Sequence, residues 1–453
     1  MKPPRRLHQA AAAVVLGVLA GPSAAQQPLT LARAFAIADS QAYGNRLAHA
    51  ARDLRAGERD QTLKGLLPSL RVEGGWMRTT DPLSAFGFTL RQRGVSQASF
   101  DPSALNAPEP ISNIAAGLVA EVPLLNPDVW LGRRAADAAV RAAEEMTRWT
   151  RAAGRLDVVR AYFGGILARD HVAALEAGWA AAQSHVRSAR SLYEQGIVTR
   201  SDVLLAEVKA GQLEAQLLSV RGREAIALRQ LAVVLGIAEP GTLSLPAALP
   251  DLAPLTRIDP QSMPGLRADV AAAQAGAEAA RHDVARATAL LLPRVNSFGR
   301  LDWNQPRTGF GGRPSWTIGV MASWSLFGGG SELVARRAAM ARAASAATEA
   351  EAAEARAALE LAERRNDLEV ALATTAIASR AVDQAAEAHR IVSRKYQGGL
   401  ATVTELLEAS AVETHARVER SASIYRAITA AAAWRVTLGL DASDLTLLDQ
   451  GGN

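Results

Sequence analysis

Glu405 and Glu408 are the residues of this chain best spaced to do chemistry. They stand three positions apart in a proline-free, helix-favouring run, so their carboxylates share one helical face, one turn apart. Such a pair offers negative charge to cations; by spacing alone it is equally the solvated face of a helix just past a turn. Other chemistry is thinly supplied. The seven histidines (His8, His49, His171, His185, His282, His389 and His415) show no metal-ligand spacing and no HExxH arrangement. Gly309-Phe-Gly-Gly312 lacks the Lys-Ser/Thr of a phosphate-binding loop. The absence of cysteine excludes disulfides, thiol catalysis, cysteine-ligated metal and a lipid-modified N-terminal cysteine. These residues indicate a protein that is not an enzyme and carries no cofactor.

The acidic pair follows a stretch that occurs twice. Tyr193-Glu-Gln-Gly-Ile-Val-Thr-Arg-Ser-Asp202 returns 203 residues later as Tyr396-Gln-Gly-Gly-Leu-Ala-Thr-Val-Thr-Glu405. Tyr193/Tyr396, Gly196/Gly399, Thr199/Thr402 and Asp202/Glu405 match. Each copy interrupts a long helical run at a glycine-containing turn, as the tip of a helical hairpin does. The copies then diverge: three residues after the acid, the first has Leu205 and the second Glu408.

The N-terminus reads as a processing signal. Lys2, Arg5 and Arg6 form a positive n-region, Ala10 to Ala20 an apolar core, and Ser23-Ala24-Ala25 a cleavage site, so residues 1–25 are expected to be removed on export. The net charge falls from +5 to +2 because those three cations leave with the segment, which removes the main support for a nucleic-acid partner. No other apolar run approaches the ~20 residues of a membrane-spanning helix.

Between these features the chain alternates helix and strand. Residues 29–66 read as helix, ending at Leu66-Leu67-Pro68 because proline disfavours helix in the residue before it. Leu70, Val72, Gly74 and Trp76 then alternate with Arg71, Glu73 and Gly75. A polar, proline-bearing loop, roughly 79–110, precedes a second alternation of Ile114, Ala116, Leu118, Ala120 and Val122 against Asn113, Gly117, Val119 and Glu121. A helix of about 65 residues (131–195) leads to the first tip, and one of about 38 leads away to Leu235-Gly236. After a proline-rich link the plan repeats. A helix ends at Leu291-Leu292-Pro293, Val295 to Trp303 and Trp316 to Leu326 alternate, and long and short helices (331–396, then Thr402 to Leu438-Gly439) flank the second tip. The domains expected are a first structural repeat, 26–238, an equatorial linking segment, 239–264, a second repeat, 265–440, and a tail, 441–453.

Four strands, each apolar on one face and small or polar on the other, have the pattern of a membrane β-barrel. Trp76, Trp130, Trp303, Trp316 and Trp324 lie in or beside them, as an aromatic girdle does. Four strands cannot close a barrel, and open edges cannot sit in lipid, so several chains must build it together. A soluble two-sheet arrangement is the alternative. Two short helices stacked end to end match the length of one long helix, which gives an extended bundle continuous with the barrel.

Taken together, the duplicated tips, the Leu-Leu-Pro strand entries and Ser323-Trp-Ser-Leu-Phe-Gly-Gly-Gly330 entering a long helix resemble the TolC-type outer-membrane efflux family over essentially the whole mature chain. The resemblance implies an α+β membrane protein of the Gram-negative outer membrane. In it, a homotrimer closes a twelve-stranded barrel continuous with a helical periplasmic tunnel. It implies a passive exit duct for efflux or type I secretion, working with a periplasmic adaptor protein and an inner-membrane pump that supplies the energy. Within it, Glu405 and Glu408 become two stacked rings of carboxylates at the periplasmic aperture, a cation-attracting gate. Asp202 and Tyr396 correspond to positions that link neighbouring hairpins in the closed state, while the family's basic partner falls at Ala401 and breaks the pattern. Gly196, Ile197, Val198, Gly399, Leu400 and Ala401 would meet the adaptor, although ordinary turn chemistry also accounts for their glycines, and both tyrosines are equally placed as packing aromatics. The 23 extra residues expected in the first loop either cap the outer end, contact the cell surface or are simply tolerated. The rival readings are an exported coiled-coil structural or adaptor protein without a channel, which has no use for lipid-facing strands, and a diffusion porin, which has no use for two such long helices.

Overall fold

The computed structural model describes residues 28–238, 243–252, 265–307, 310, 311 and 313–440, with 442, 445, 446 and 448 beyond them. The expected signal peptide lies outside the described residues, as do 239–242, 253–264 and most of 441–453.

The first helical run is two helices rather than one. Helix α1 (Leu31–Gln41) starts at Thr30, whose Oγ1 accepts from Arg33 N at 3.2 Å. It stops at Ala42, which is extended at φ −56 and ψ 133, and α2 (Tyr43–Gln61) begins at once. Buried Asn45 spans the break by donating to the Ala38 carbonyl at 3.0 Å. Strand β1 (Ser69–Thr79) follows. The segment expected as a loop holds helices α3 (Pro82–Arg91) and α4 (Pro102–Asn106), each N-capped by an aspartate, Asp81 or Asp101, with proline in the first turn. Gln92 ties the end of α3 to β2 (Ile111–Leu125), donating to Ser112 O at 2.8 Å and Asn113 Oδ1 at 3.0 Å.

Helix α5 (Pro127–Glu194) has 68 residues and α8 (Ser331–Gln397) has 67. At ~1.5 Å per residue each is about 100 Å long. Helices α6 (Arg200–Leu235) and α9 (Val403–Thr437) return from the two tips, and α7 (Ala268–Ala289) leads into β3 (Arg294–Gln305) and β4 (Ser315–Ser323). Strand β4 ends three residues short of the expected Leu326. Its backbone turns where Trp324 Nε1 donates to the Leu291 carbonyl at 3.0 Å, pinning the indole beside the entry to β3.

The strands form one antiparallel sheet in the order β1-β2-β3-β4. Directly paired residues of antiparallel strands project to the same face, so the register shows whether the four alternations agree. They do. Val72 pairs with Leu118, Leu118 with Leu301, and Leu301 with Trp316; Leu70, Ala120, Gly299 and Ile318 form the next row. This face is apolar, with Leu70, Val72, Trp316, Ile318 and Val320 exposed. The opposite face is polar and cross-linked. Arg300 Nε donates to Asp302 at 2.7 Å, Asn113 Nδ2 to Asn304 at 2.8 Å, and Asn296 Nδ2 to Glu121 at 3.0 Å. Helix α3 is therefore bonded to the polar face, through Asn113, at the end of the sheet away from the long helices.

Helix α5 packs against α2 and α6 in turn, and α8 against α7 and α9, each short pair running beside one long helix. The joints between short helices are built alike. Gly236, at the end of α6, and Gly439, after α9, are left-handed at φ 74. A Cβ on Gly236 would lie 2.4 Å from the Gln41 carbonyl oxygen, at the α1–α2 break; one on Gly439 would lie 3.3 Å from the Leu266 carbonyl oxygen, just before α7. Gly265 N closes the second joint on Leu438 O at 2.9 Å. The main core sits beside these joints. It joins Phe35 of α1, Tyr162, Phe163 and Ile166 of α5, Leu231 and Leu235 of α6, Leu368 of α8, and Ile428 and Trp434 of α9. Burying about ten such side chains contributes roughly 1.5–3 kcal/mol each. Asp39 clamps α1 to α5 through Arg151, 2.6 Å away, and Arg155; burial raises its pKa, but these guanidiniums outweigh that and hold it below the usual range.

Gly236→Ala should destabilise the protein by roughly 2 kcal/mol or more, because the new side chain meets both an unfavourable φ and a carbonyl oxygen. Gly211→Ala, inside α6 with open space at its Cβ position, should stabilise it by roughly 0.5–1 kcal/mol. Thermal melting of the detergent-solubilised protein checks both signs.

Candidate functional site at the helical tips

Both tips close by the same hydrogen bonds. At the first, Gly196 N donates to Tyr193 O at 2.9 Å and Ile197 N to Leu192 O at 2.9 Å; at the second, Gly399 N donates to Tyr396 O at 3.0 Å and Leu400 N to Lys395 O at 2.8 Å. Gly196 and Gly399 take φ 72 and φ 74, the left-handed conformation that ends a helix at a glycine. The next helix starts with a capping box in each copy. Thr199 N donates to Asp202 Oδ2 at 2.9 Å and Thr402 N to Glu405 Oε2 at 2.7 Å, while each acid's own N–H donates back to its threonine Oγ1. The glycine, the threonine and the acid of the duplicated motif therefore each have a structural reason to be there.

The tips differ in what they expose. Backbone and hydroxyl donors of Thr402 engage Oε2 of Glu405 and hold its carboxyl below the usual range, so it stays charged, and Glu408 is exposed one turn on. Asp202 is half-buried. Tyr193 is 46% exposed but Tyr396 only 2%, because Tyr396 packs into a cluster with Ala182, Val186, Val203 and Ala206 of the first hairpin and Val403 and Leu406 of its own. Its hydroxyl is buried without a hydrogen-bond partner among the described residues; burial, and then the Asp202 charge, raise its pKa. Ile197 and Leu400 project from the tips at 55% and 82% exposure, beside the exposed Gly196 and Gly399, whereas Val198 and Ala401 rest against the shared cluster.

A second polar group joins the hairpins farther from the tip. His389 Nε2 on α8 lies 3.2 Å from His185 Nε2 on α5, and His389 Nδ1 lies 2.6 Å from Glu413 Oε2 on α9. Arg417 holds the other Glu413 oxygen at 2.6 Å. Burial raises the Glu413 carboxyl, but its bonds from His389 and Arg417 prevail and keep it low. Burial, followed by the His389 charge, pushes His185 down to about 4. Metal-ligand spacing misses this group, because the two histidines are 204 positions apart and only the packing of α5 on α8 and α9 unites them.

The sequence profile of the outer membrane efflux protein family matches residues 46–237 and 260–440, most of the chain and all the long helices and strands. The chain belongs to this family. The alkaline protease secretion protein AprF of Pseudomonas aeruginosa is 25% identical to it over 308 residues, 64% of this chain and 62% of that protein's own length. Among solved structures, VceC, an outer membrane protein of Vibrio cholerae, superposes with a TM-score of 0.76 at 21% identity, over 91% of this chain and 96% of that one. The CmeC outer membrane channel of Campylobacter jejuni gives 0.75 at 15% identity, over 99% and 97%. The fold is that of these channels: α+β, with a four-stranded antiparallel sheet continuous with long helices. Membership of the outer membrane efflux protein family places the chain in the outer membrane.

In this efflux protein, Thr402→Ala should cost the start of α9 roughly 1 kcal/mol by removing its N-cap. Amide hydrogen exchange across residues 403–407 reads the loss as faster exchange. The same amides should lose protection in acid: a carboxyl whose folded pKa is depressed stabilises above its ordinary value of 4.5 and ceases to as the pH falls through the lower folded value.

Proposed function

We propose that three copies of this chain form an exit duct through the outer membrane for an efflux or type I secretion system. The observation that carries the reading is the sheet, apolar over one face in continuous register and unpaired along β1 and β4. Lipid accepts the apolar face and refuses the open edges. Two copies would give eight strands, and a barrel of that size is filled by its own side chains. Three copies give twelve and are the smallest assembly with a passage. The polar face, with Arg300, Asp302, Glu73 and Asn113, then lines the lumen, and the helices prolong it into the periplasm.

The duct is passive and takes its energy from an inner-membrane pump through a periplasmic adaptor. Gly196, Ile197, Val198, Gly399, Leu400 and Ala401 make the adaptor-facing end, a reading supported by the exposed Ile197 and Leu400 on two otherwise identical turns. Glu405 and Glu408 form stacked carboxylate rings at the aperture; the capping bond to Thr402 keeps Glu405 ionised and fixes its direction. Asp202 and Tyr396 hold the aperture between hairpins, a reading supported by the Tyr396 hydroxyl, which has no hydrogen-bond partner among the described residues and feels the Asp202 charge. The secretion role printed for AprF favours a protein substrate carried by the type I route over a small molecule.

Purified protein in a planar lipid bilayer should conduct ions in discrete steps; a failure to conduct at any voltage or pH would remove the duct reading. Replacing both Glu405 and Glu408 with alanine should lower the cation-to-anion permeability ratio roughly two-fold or more. An unchanged ratio would take the gate away from these residues.

A further inference from the structure

We propose that His185 and His389 form a proton-operated latch between the two helical hairpins, engaged while the pair lacks one proton and released in mild acid when both rings are charged. This goes beyond the acidic rings, although its effect on transport rests on the reading of the tips as a gate.

The geometry leaves room for one proton. With Nε2 facing Nε2 at 3.2 Å, one ring donates and the other accepts. The rings meet edge to face, with an interplanar angle of 82°. Glu413 orients His389: its Oε2, 2.6 Å from His389 Nδ1, takes that N–H and turns Nε2 of the same ring toward His185, so that one N–H is shared between the two Nε2 atoms. The line Arg417–Glu413–His389–His185 thus runs from α9 through α8 to α5, across the boundary between hairpins.

A second proton has no good place to go. With both rings charged, each Nε2 carries an N–H aimed at the other across 3.2 Å, and like charges in contact drive the two helices apart. The groups around the pair give no relief. Helix α8 presents His389, and α9 presents Glu413 and Arg417, already bonded to each other. On α6, Glu207 is engaged by Arg190 at 2.6 Å, and Lys209 lines the groove beside Ala182 and adds positive charge. The charge that bears on His185 is that of His389, and His185 is 8% exposed. Burial and that charge press the His185 pKa from the ordinary 6.5 down to about 4, so the closed contact is stabilised above 6.5 and loses its stabilisation as the pH falls from there towards 4. The pair stands about ten residues from the first tip, roughly 15 Å along α5, next to the Tyr396 cluster. Separation there spreads the ends of both hairpins.

The test uses the full-length protein, whose lack of native cysteine makes introduced ones unique. Spin labels at Gln195→Cys and Gln397→Cys, both on exposed tip positions, report the distance between hairpins, and bilayer recordings report opening. From pH 7.5 to 4.5 the labels should move apart and open probability rise more than about tenfold, with the midpoint between 6.5 and 4. Both responses should vanish in His185→Gln, which keeps a hydrogen bond but cannot charge. His389→Gln gives the same reading should His185→Gln fail to assemble. An unchanged label distance in the unsubstituted pair of positions across that pH range overturns the latch, as does a full transition in either histidine variant. Label movement without conductance supports the latch and removes the duct.

Discussion

The sheet's two open edges are the constraint on which the rest depends. The backbone N–H and C=O groups on the outer edges of β1 and β4 have no strand partner among the described residues, and lipid supplies none. The face that lipid would cover is dominated by apolar residues, so the sheet cannot turn that face to water without exposing Trp316, Ile318, Leu70 and Val72 together. Self-association satisfies both requirements at once. It also fixes the direction of the helices: β2 ends at Leu125 and α5 starts two residues later, so whatever orientation the barrel adopts is passed to the tunnel without an adjustable joint. Asp128, in the first turn of α5, is salt-bridged to Arg294 at the start of β3 and reinforces that junction.

Length is the second requirement, and the chain meets it by splicing. A 68-residue helix needs support along its whole side, which α6 alone is too short to give. Two helices meeting end to end cover it, but the meeting brings the last carbonyls of one against the start of the next. Left-handed glycines at 236 and 439 turn the chain aside at the point where a side chain would strike the neighbouring backbone. The large aromatic core lies beside these joints rather than at the tips. Small residues dominate elsewhere, so the arms are thinly packed and the waist is rigid.

Much of this was legible in the sequence because it rests on periodicity and punctuation. The alternation of Leu70 to Trp76 and Trp316 to Val320, the Leu-Leu-Pro entries, the proline-free runs and the two tips all mark local backbone preferences. What escaped is what packing decides. Ala42 breaks the first helix although alanine favours helix, because the end of α6 arrives there. Helix α3 forms where prolines suggested a loop, because Asp81-Pro82 starts a helix as readily as it ends one and Gln92 finds β2. The duplicated acids were legible as a motif, yet their capping role emerges only from the threonine three residues before each. The two tyrosines match in sequence and part in structure, one exposed and one enclosed. Nothing local connects His185 with His389.

The strand order follows the order of the chain, yet its central seam joins segments lying on either side of residues 126–293. Strands β3 and β4 close over residues 306–314, and β1 and β2 over residues 80–110 with α3 and α4 between them, whereas β2 and β3 meet only across an entire helical hairpin, the link and α7. Loop-closure entropy makes the distant pairing slow unless something first shortens the span. Docking α7 onto α5 does so, delivering Arg294 to Asp128 with the register already set. Biogenesis should therefore proceed from the tunnel outward, the periplasmic helices acting as a template on which each four-stranded sheet is stitched before its edges seek other copies.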